Sequence, residues 1–253
     1  MKTTYLLLSS ALLLGCVSAC NTSGQKSKEM KTDDGSITTV ETAGSKLTIC
    51  DLSLVKDTIE VPLSEFVEDC RIVRFETSEE AYFKAWFINA TDNYIGIRQG
   101  DRGVFKLFDR NGKFLYNVGS VGSGPGEYDT TLYDECIDEK NGHIFFTPFV
   151  GKRIMMYDIN GQWIKDIQLP IQVNKPKIWV NEDGSLSIIH MPFNEGEPLA
   201  FQMDTDGNIL KQIPATAATR VMNFDGEIFS YRNCNDFDFF HTSIDTLFTY
   251  DST

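Results

Sequence analysis

Three histidines, His143, His190 and His241, recur at nearly equal intervals, as one imidazole per structural repeat would. Three imidazoles converging on a common axis would make a metal site. Register argues against that. Aligning Thr147-Pro148-Phe149 with Met191-Pro192-Phe193 sets His143 against Ser187 and His190 against Phe146. The odd offset turns the two rings to opposite faces of a regular strand. A second set, Asn89, Asp134, Glu135, Asn181 and Asn223, offers oxygen donors of the hard-cation type. If they met on an axis they would suit a metal-dependent hydrolase or lyase acting on a sugar-derived substrate. The competing reading is that they cap strands or face a solvated channel.

Gly119, Gly122, Gly124 and Gly126 imitate a phosphate-binding loop. Such a loop needs a helix N-terminus after it, so that backbone N–H groups converge on the anion. Here Glu127-Tyr128-Asp129 and a further strand-like run follow, so the glycines read as a tight connection between packed units. No serine lies on a nucleophile-elbow sequence. No catalytic, metal or cofactor-binding residue is therefore assigned, and no cofactor is expected. The segment with the best claim to ligand contact is Asp236, Phe237, Phe239 and Phe240, aromatic side chains beside polar ones. The same alternation also fits a short strand with one buried face.

What positions these residues is a repeat. Asp109-Arg-Asn-Gly112, Asp158-Ile-Asn-Gly161 and Asp204-Thr-Asp-Gly207 each sit between two apolar runs, with the glycines about 46–49 residues apart. Asn-Gly or Asp-Gly between such runs is a strong hairpin signal because the turn needs positive φ. The aspartate three residues ahead can accept backbone N–H groups across the turn. Earlier turns at Asp92-Asn93, Asn141-Gly142, Asp183-Gly184 and Asp225-Gly226 precede further strand-like runs. Strand, turn, strand, loop, strand, turn, strand at that period is a four-stranded β-propeller blade, in an all-β protein. The expected first strands are Trp86–Asn89, Leu132–Ile137, Ile178–Asn181 and Val221–Phe224.

The N-terminus reads as an address. Lys2 and the apolar stretch Tyr5 to Leu14 suit a signal peptide over 1–19 and are too short to span a bilayer. Val17-Ser18-Ala19-Cys20 resembles a lipobox, which makes Cys20 the acylated residue ahead of Cys16, itself preceded by Leu13-Leu14-Gly15. Residues 20–46 are polar and read as a flexible tether, leaving 47–253 as the propeller domain. No acid lies between Asn21 and Lys28, which favours the periplasmic side of the envelope over the cell surface. Lys plus Arg total 23 against 36 Asp plus Glu, a formal charge of −13 that disfavours nucleic acid. The same charge leaves the lipid anchor as the only membrane attachment. The cysteines form no Cys-x-x-Cys pair, and Cys50, Cys70, Cys136 and Cys234 read as buried thiols on strands.

The loop Gly122-Ser-Gly-Pro-Gly-Glu127-Tyr128, the upstream Arg71-Ile-Val-Arg-Phe-Glu-Thr77 and the lipoprotein signal together carry a resemblance. The chain resembles the six-bladed β-propeller lipoproteins of Gram-negative gut bacteria over roughly Ile49 to Tyr250. That family is largely without assigned activity, so the resemblance implies a fold and an envelope location and transfers no catalytic residues. A non-catalytic binding module for a glycan, peptide or partner protein is the expectation. At about 46 residues per blade the sequence holds about four blades. The expectation is a C-terminally truncated, open arc whose N-terminal strand Cys70–Phe75 has no last blade to join. Exposed edges of that kind favour oligomers or aggregation.

Overall fold

The computed structural model describes residues 29–31, 35–42, 45–58, 60–100, 102–231, 237–242 and 247–250. Two compact units divide at Cys70/Arg71. In the first, Glu29–Lys31, Ile37–Thr42 and Ser45–Cys50 form an antiparallel three-stranded sheet, followed by short 3-10 turns at Leu52–Leu54 and Leu63–Glu65. Strand pairing thus begins inside the stretch read as a tether. The β-branched run Ile37-Thr-Thr-Val40 has the propensity for it.

The second unit carries the repeat. Its first sheet holds Ala85–Ala90, Tyr94–Gln99, Phe105–Asp109 and Phe114–Val118. The second holds Leu132–Asp138, His143–Pro148, Val150–Asp158 and Trp163–Asn174. The third holds Lys177–Val180, Leu186–Ile189, Pro198–Met203 and Ile209–Pro214. In each, the four strands pair antiparallel in chain order, and the first strand of the second sheet packs against the first strands on both sides. The chain is an all-β protein built as a β-propeller of four-stranded antiparallel blades.

Period-two alternation sends neighbouring side chains to different cores. Ile144 and Phe146 face the first sheet, packing with Phe105, Leu107 and Val118. Phe145, between them, faces the third, packing with Ile178, Leu186 and Phe201. Met155 and Tyr157 divide from Ile154 and Met156 in the same way. Sheets buried on both faces explain why these strands read as continuous apolar runs.

The fourth sheet departs from expectation. Its strands are Ile228–Tyr231, Phe237–His241 and Leu247–Tyr250. Val221–Phe224 forms no strand. The Asn223 amide folds onto Asp225 at 2.7 Å, and Asp225 N–H returns a bond to Asn223 Oδ1 at 3.0 Å. That side-chain turn competes with strand pairing, so the fourth sheet begins only at Ile228.

The three Asp-x-x-Gly turns are alike in detail. Oδ1 of Asp109, Asp158 and Asp204 accepts the backbone N–H groups two and four residues on, all at 2.8–2.9 Å. Gly112, Gly161 and Gly207 have φ of +85°, +82° and +96°. They serve a second purpose, because each nests against the neighbouring unit. A Cβ on Gly161 would lie 2.9 Å from Tyr116, and one on Gly207 would lie 2.7 Å from the Gln168 carbonyl. A Cβ on Gly112 would collide with the Arg74 carbonyl in the same manner. The segment Arg71–Thr77 therefore stands against the first sheet where an outer strand stands against each later one. It forms no strand itself, and is held by Glu76 N–H to the Gly112 carbonyl at 2.8 Å and by Phe75 stacked edge-on to Phe83 and Phe108.

Of the cysteines, Cys136 is buried on a strand, but Cys50 and Cys70 are exposed thiols, because neither sits in a strand with a covered face. Cys16, Cys20 and Cys234 lie outside the described residues.

Gly184 has the same left-handed φ, +82°, with nothing near its absent Cβ. Gly184→Ala should cost only the backbone strain, about 1–2 kcal/mol. Gly207→Ala should cost about 1–3 kcal/mol more, from the collision with the Gln168 carbonyl. Urea unfolding of the two variants measures the difference; equal losses would show that the turn does not carry blade packing.

Candidate functional site: a cavity between the first strands

The first strands frame a cavity of about 1600 Å³. Its wall takes Trp86 to Asn89 from the first sheet, Leu132 to Asp138 from the second, Lys177 and Trp179 to Asn181 from the third, and Glu227, Phe229 and Ser230 beside the fourth. Arg98 reaches it from the second strand of the first sheet.

Charge in this wall is arranged in pairs that cross between sheets. Arg98 Nε donates to Glu135 Oε2 at 2.7 Å, with side-chain exposures of 6% and 1%. Its Nη1 donates to the Leu132 carbonyl at 3.2 Å, and its guanidinium lies 5.0 Å from the centre of the Phe87 ring. Asp134 Oδ2 accepts the Ile178 N–H at 2.9 Å, tying the second first-strand to the third. Glu227 collects donors from three directions. Tyr133 Oη–H and Ile228 N–H reach Oε1, and Lys175 Nζ stands 3.5 Å from Oε2. Burial, reinforced by that carboxylate, pushes the Tyr133 phenol well above its ordinary range, so it is a permanent donor. Lys175 also holds the carbonyls of Phe224 and Gly226, each at 2.8 Å.

Lys177 differs from the other cations. It is 7% exposed, and its ammonium lies 4.7 Å from the Tyr133 ring centre and 5.8 Å from that of Phe87. The carboxylate within ion-pair range is Glu227, whose Oε1 is 4.0 Å away, beyond hydrogen-bond reach.

The oxygen donors proposed from sequence are largely engaged elsewhere. Asn89, Asp134, Glu135 and Asn181 do line the cavity. Glu135 is bound to Arg98, Asp134 to Ile178, and the Asn181 amide to the Ser185 and Ser187 hydroxyls at 2.9 Å each. Asn223 is not in the wall, since its segment forms a turn. Among the described residues no three His, Cys, Asp or Glu side chains cluster as a metal site. His143 is partly exposed beside Phe145, whereas His190 is fully buried against Phe201.

The segment marked for ligand contact is the second strand of the fourth sheet. Phe239 is buried there at 4% exposure among Ile189, Val221 and Ile228, and Phe240 is half-buried on the other face. Phe237 begins the strand; Asp236 lies outside the described residues. The Gly-Pro-Gly-Glu-Tyr loop binds blades together. Glu127 Oε2 accepts the Gly124 N–H at 2.8 Å, and the Tyr128 hydroxyl donates to the Val118 carbonyl at 2.6 Å while accepting the Phe105 N–H at 3.1 Å.

Residues 47–253 match the family described as a domain of unknown function, DUF4934. The chain belongs to that family. Among solved structures, it is similar to a protein of Bacteroides fragilis classed as exported, at 16% identity and a TM-score of 0.57 over 71% of this chain and 51% of that one. Lower likeness links it to a Bacteroides caccae protein of unknown function, with 14% identity, a TM-score of 0.39 and coverage of 60% and 51%. Virginiamycin B lyase of Staphylococcus aureus gives 14% identity and a TM-score of 0.48, covering 88% of this chain and 66% of the lyase. The DUF4934 chain spans about half the length of the two Bacteroides proteins. No curated protein matches it.

Arg98→Ala or Glu135→Ala would strand a buried charge and should cost about 3–5 kcal/mol each. The double replacement Arg98→Met/Glu135→Leu should cost far less than the two single losses together, as a denaturation cycle would show; additive losses would contradict the pairing. His190 gives a pH signature. Burial lowers its pKa to about 4 from 6.5, so an unfolded chain takes up the proton before the folded one. Stability should therefore fall as pH drops from about 6.5 towards 4, by up to about 3 kcal/mol, and no further from this group below that. His190→Phe should flatten that limb of the stability profile; an unchanged slope would place the acid sensitivity elsewhere.

Proposed function

We propose that this DUF4934 protein is an envelope-located binding module that holds a small ligand in the cavity between its first strands without transforming it. The observation that carries the reading is the cavity itself. It is large, walled by both aromatic and charged groups, and braced by the buried Arg98–Glu135 pair that crosses from sheet to sheet. Ligand sites favour such concave surfaces with a few fixed polar groups among apolar ones. Binding rather than turnover is favoured because Asp134, Glu135 and Glu227 are committed to internal donors. The similarity to an exported Bacteroides protein supports an exported location, the lipobox at Cys20 supports a lipid anchor, and the lack of acids between Asn21 and Lys28 favours the periplasmic side. A glycan or peptide fragment is the class of ligand that fits this space; the strand Phe237–His241 remains a candidate second contact.

Trp86 and Trp179 line the cavity and report on it. Titration with a panel of short glycans and peptides should give a saturable change in tryptophan emission without product formation. Ser230→Trp, which narrows the cavity beside Phe229, should weaken it while leaving the far-ultraviolet dichroism intact. Binding of unchanged strength after this replacement would move the site elsewhere, and turnover would overthrow the non-catalytic reading. Cys20→Ala should shift the protein from the membrane to the soluble fraction; release by Cys16→Ala instead would identify the other lipobox.

A further inference from the structure

The chain is strongly acidic and so is one end of its cavity, yet two cations in the wall are incompletely hydrogen-bonded. Glu135 answers Arg98, Asp134 answers the Ile178 backbone, and Glu227 answers Tyr133, Ile228 and Lys175. The cations are less fully used. Lys177 has three N–H donors, more than nine-tenths of its surface buried, and no hydrogen-bond acceptor among the described residues. Two aromatic faces hold it from the side, which attracts a cation without satisfying its donors. Arg98, against the same Phe87 ring, uses Nε and Nη1 and leaves Nη2 without a partner among the described residues. A largely buried ammonium that faces a cavity without a protein acceptor is a ready partner for an acceptor that enters it.

We infer that Lys177 is the recognition point for a carboxylate group on the ligand, with the Arg98 guanidinium beside it and the Phe87 ring between them. The inference rests on the cavity being the ligand site, as proposed above. A carboxylate supplies two acceptor oxygens at hydrogen-bond distance, which Glu227 at 4.0 Å does not. Trp86 and Phe229, exposed by 66% and 51% of their surface, offer flat apolar faces in the same wall for the body of the molecule. The opposite end of the first strands limits the ligand's charge. Asp138, Glu139, Glu182 and Asp183 gather there, so an extended polyanion would be repelled, whereas a ligand with one terminal carboxylate would enter with that group towards Lys177. An acidic sugar and a peptide C-terminus both carry this chemistry.

Lysine labelling with acetic anhydride, read by mass spectrometry, tests the inference on the whole chain. The probes are a glucuronate-terminated disaccharide with its neutral glucose-terminated twin, and a tripeptide with a free or an amidated C-terminus. The acidic member of at least one pair should protect Lys177 several-fold while its neutral twin does not, and the pair that responds identifies the source. Lys177→Gln should weaken binding of that member about tenfold, the loss of one charge-assisted hydrogen bond, whereas Lys177→Arg should retain most of it. Arg keeps the charge, so it also controls for folding. Equal protection by both twins would overturn the carboxylate inference and leave the cavity reading standing. If no probe protects Lys177 or changes the tryptophan emission, both readings fall; emission changes without protection would overturn this one alone.

Discussion

The middle strands of each four-stranded sheet must bury both of their faces, and the rest of the structure follows from that demand. A strand such as His143–Pro148 sends Phe145 one way and Ile144 and Phe146 the other, so no sheet is complete without a neighbour on either side. The polar groups then have to serve between sheets rather than within them. Tyr128 closes onto the first sheet, Glu139 takes the Asn93 N–H at 2.9 Å, and the Asp-x-x-Gly turns press against the adjoining blade. Even Arg71–Thr77, which has no ladder bonds of its own, is held in an outer-strand position because the first sheet needs cover.

Packing sheets this way around first strands leaves space where those strands meet. Their inward groups are not free to choose partners, because a charge there is out of water and needs compensation from across the gap. Arg98 with Glu135 and Glu227 with Lys175 and Tyr133 meet that need and brace the walls. Lys177 meets it only in part, and the assignment of a carboxylate ligand grows from that shortfall.

Much of the scaffold was legible because turns have local chemistry. The aspartate and glycine of each hairpin announce themselves three residues apart, and the structure gives them the dihedrals and hydrogen bonds that the pattern requires. The fourth sheet misled because Asp225-Gly226 copies an early blade turn in residue type, while the Asn223–Asp225 side-chain bonds make Val221–Phe224 part of the connection. The axial charges were less legible for a different reason. Arg98 and Glu135 lie 37 residues apart on different sheets, and nothing local marks either as a partner of the other. Lys177 is a single lysine at the start of a short strand, and only its burial sets it apart. The aromatic run at Phe237–Phe240 drew attention by composition, and strand alternation places Phe239 in the core.

A crystal structure of the protein soaked with the glucuronate-terminated disaccharide bears most directly on the claim that the space between the first strands is a ligand site. The account predicts density in that space, a carboxylate oxygen within about 3 Å of Lys177 Nζ, and the sugar ring against an aromatic face. Density for the disaccharide on an outer surface, with the first strands closed together and Lys177 bonded to a protein acceptor, would contradict it.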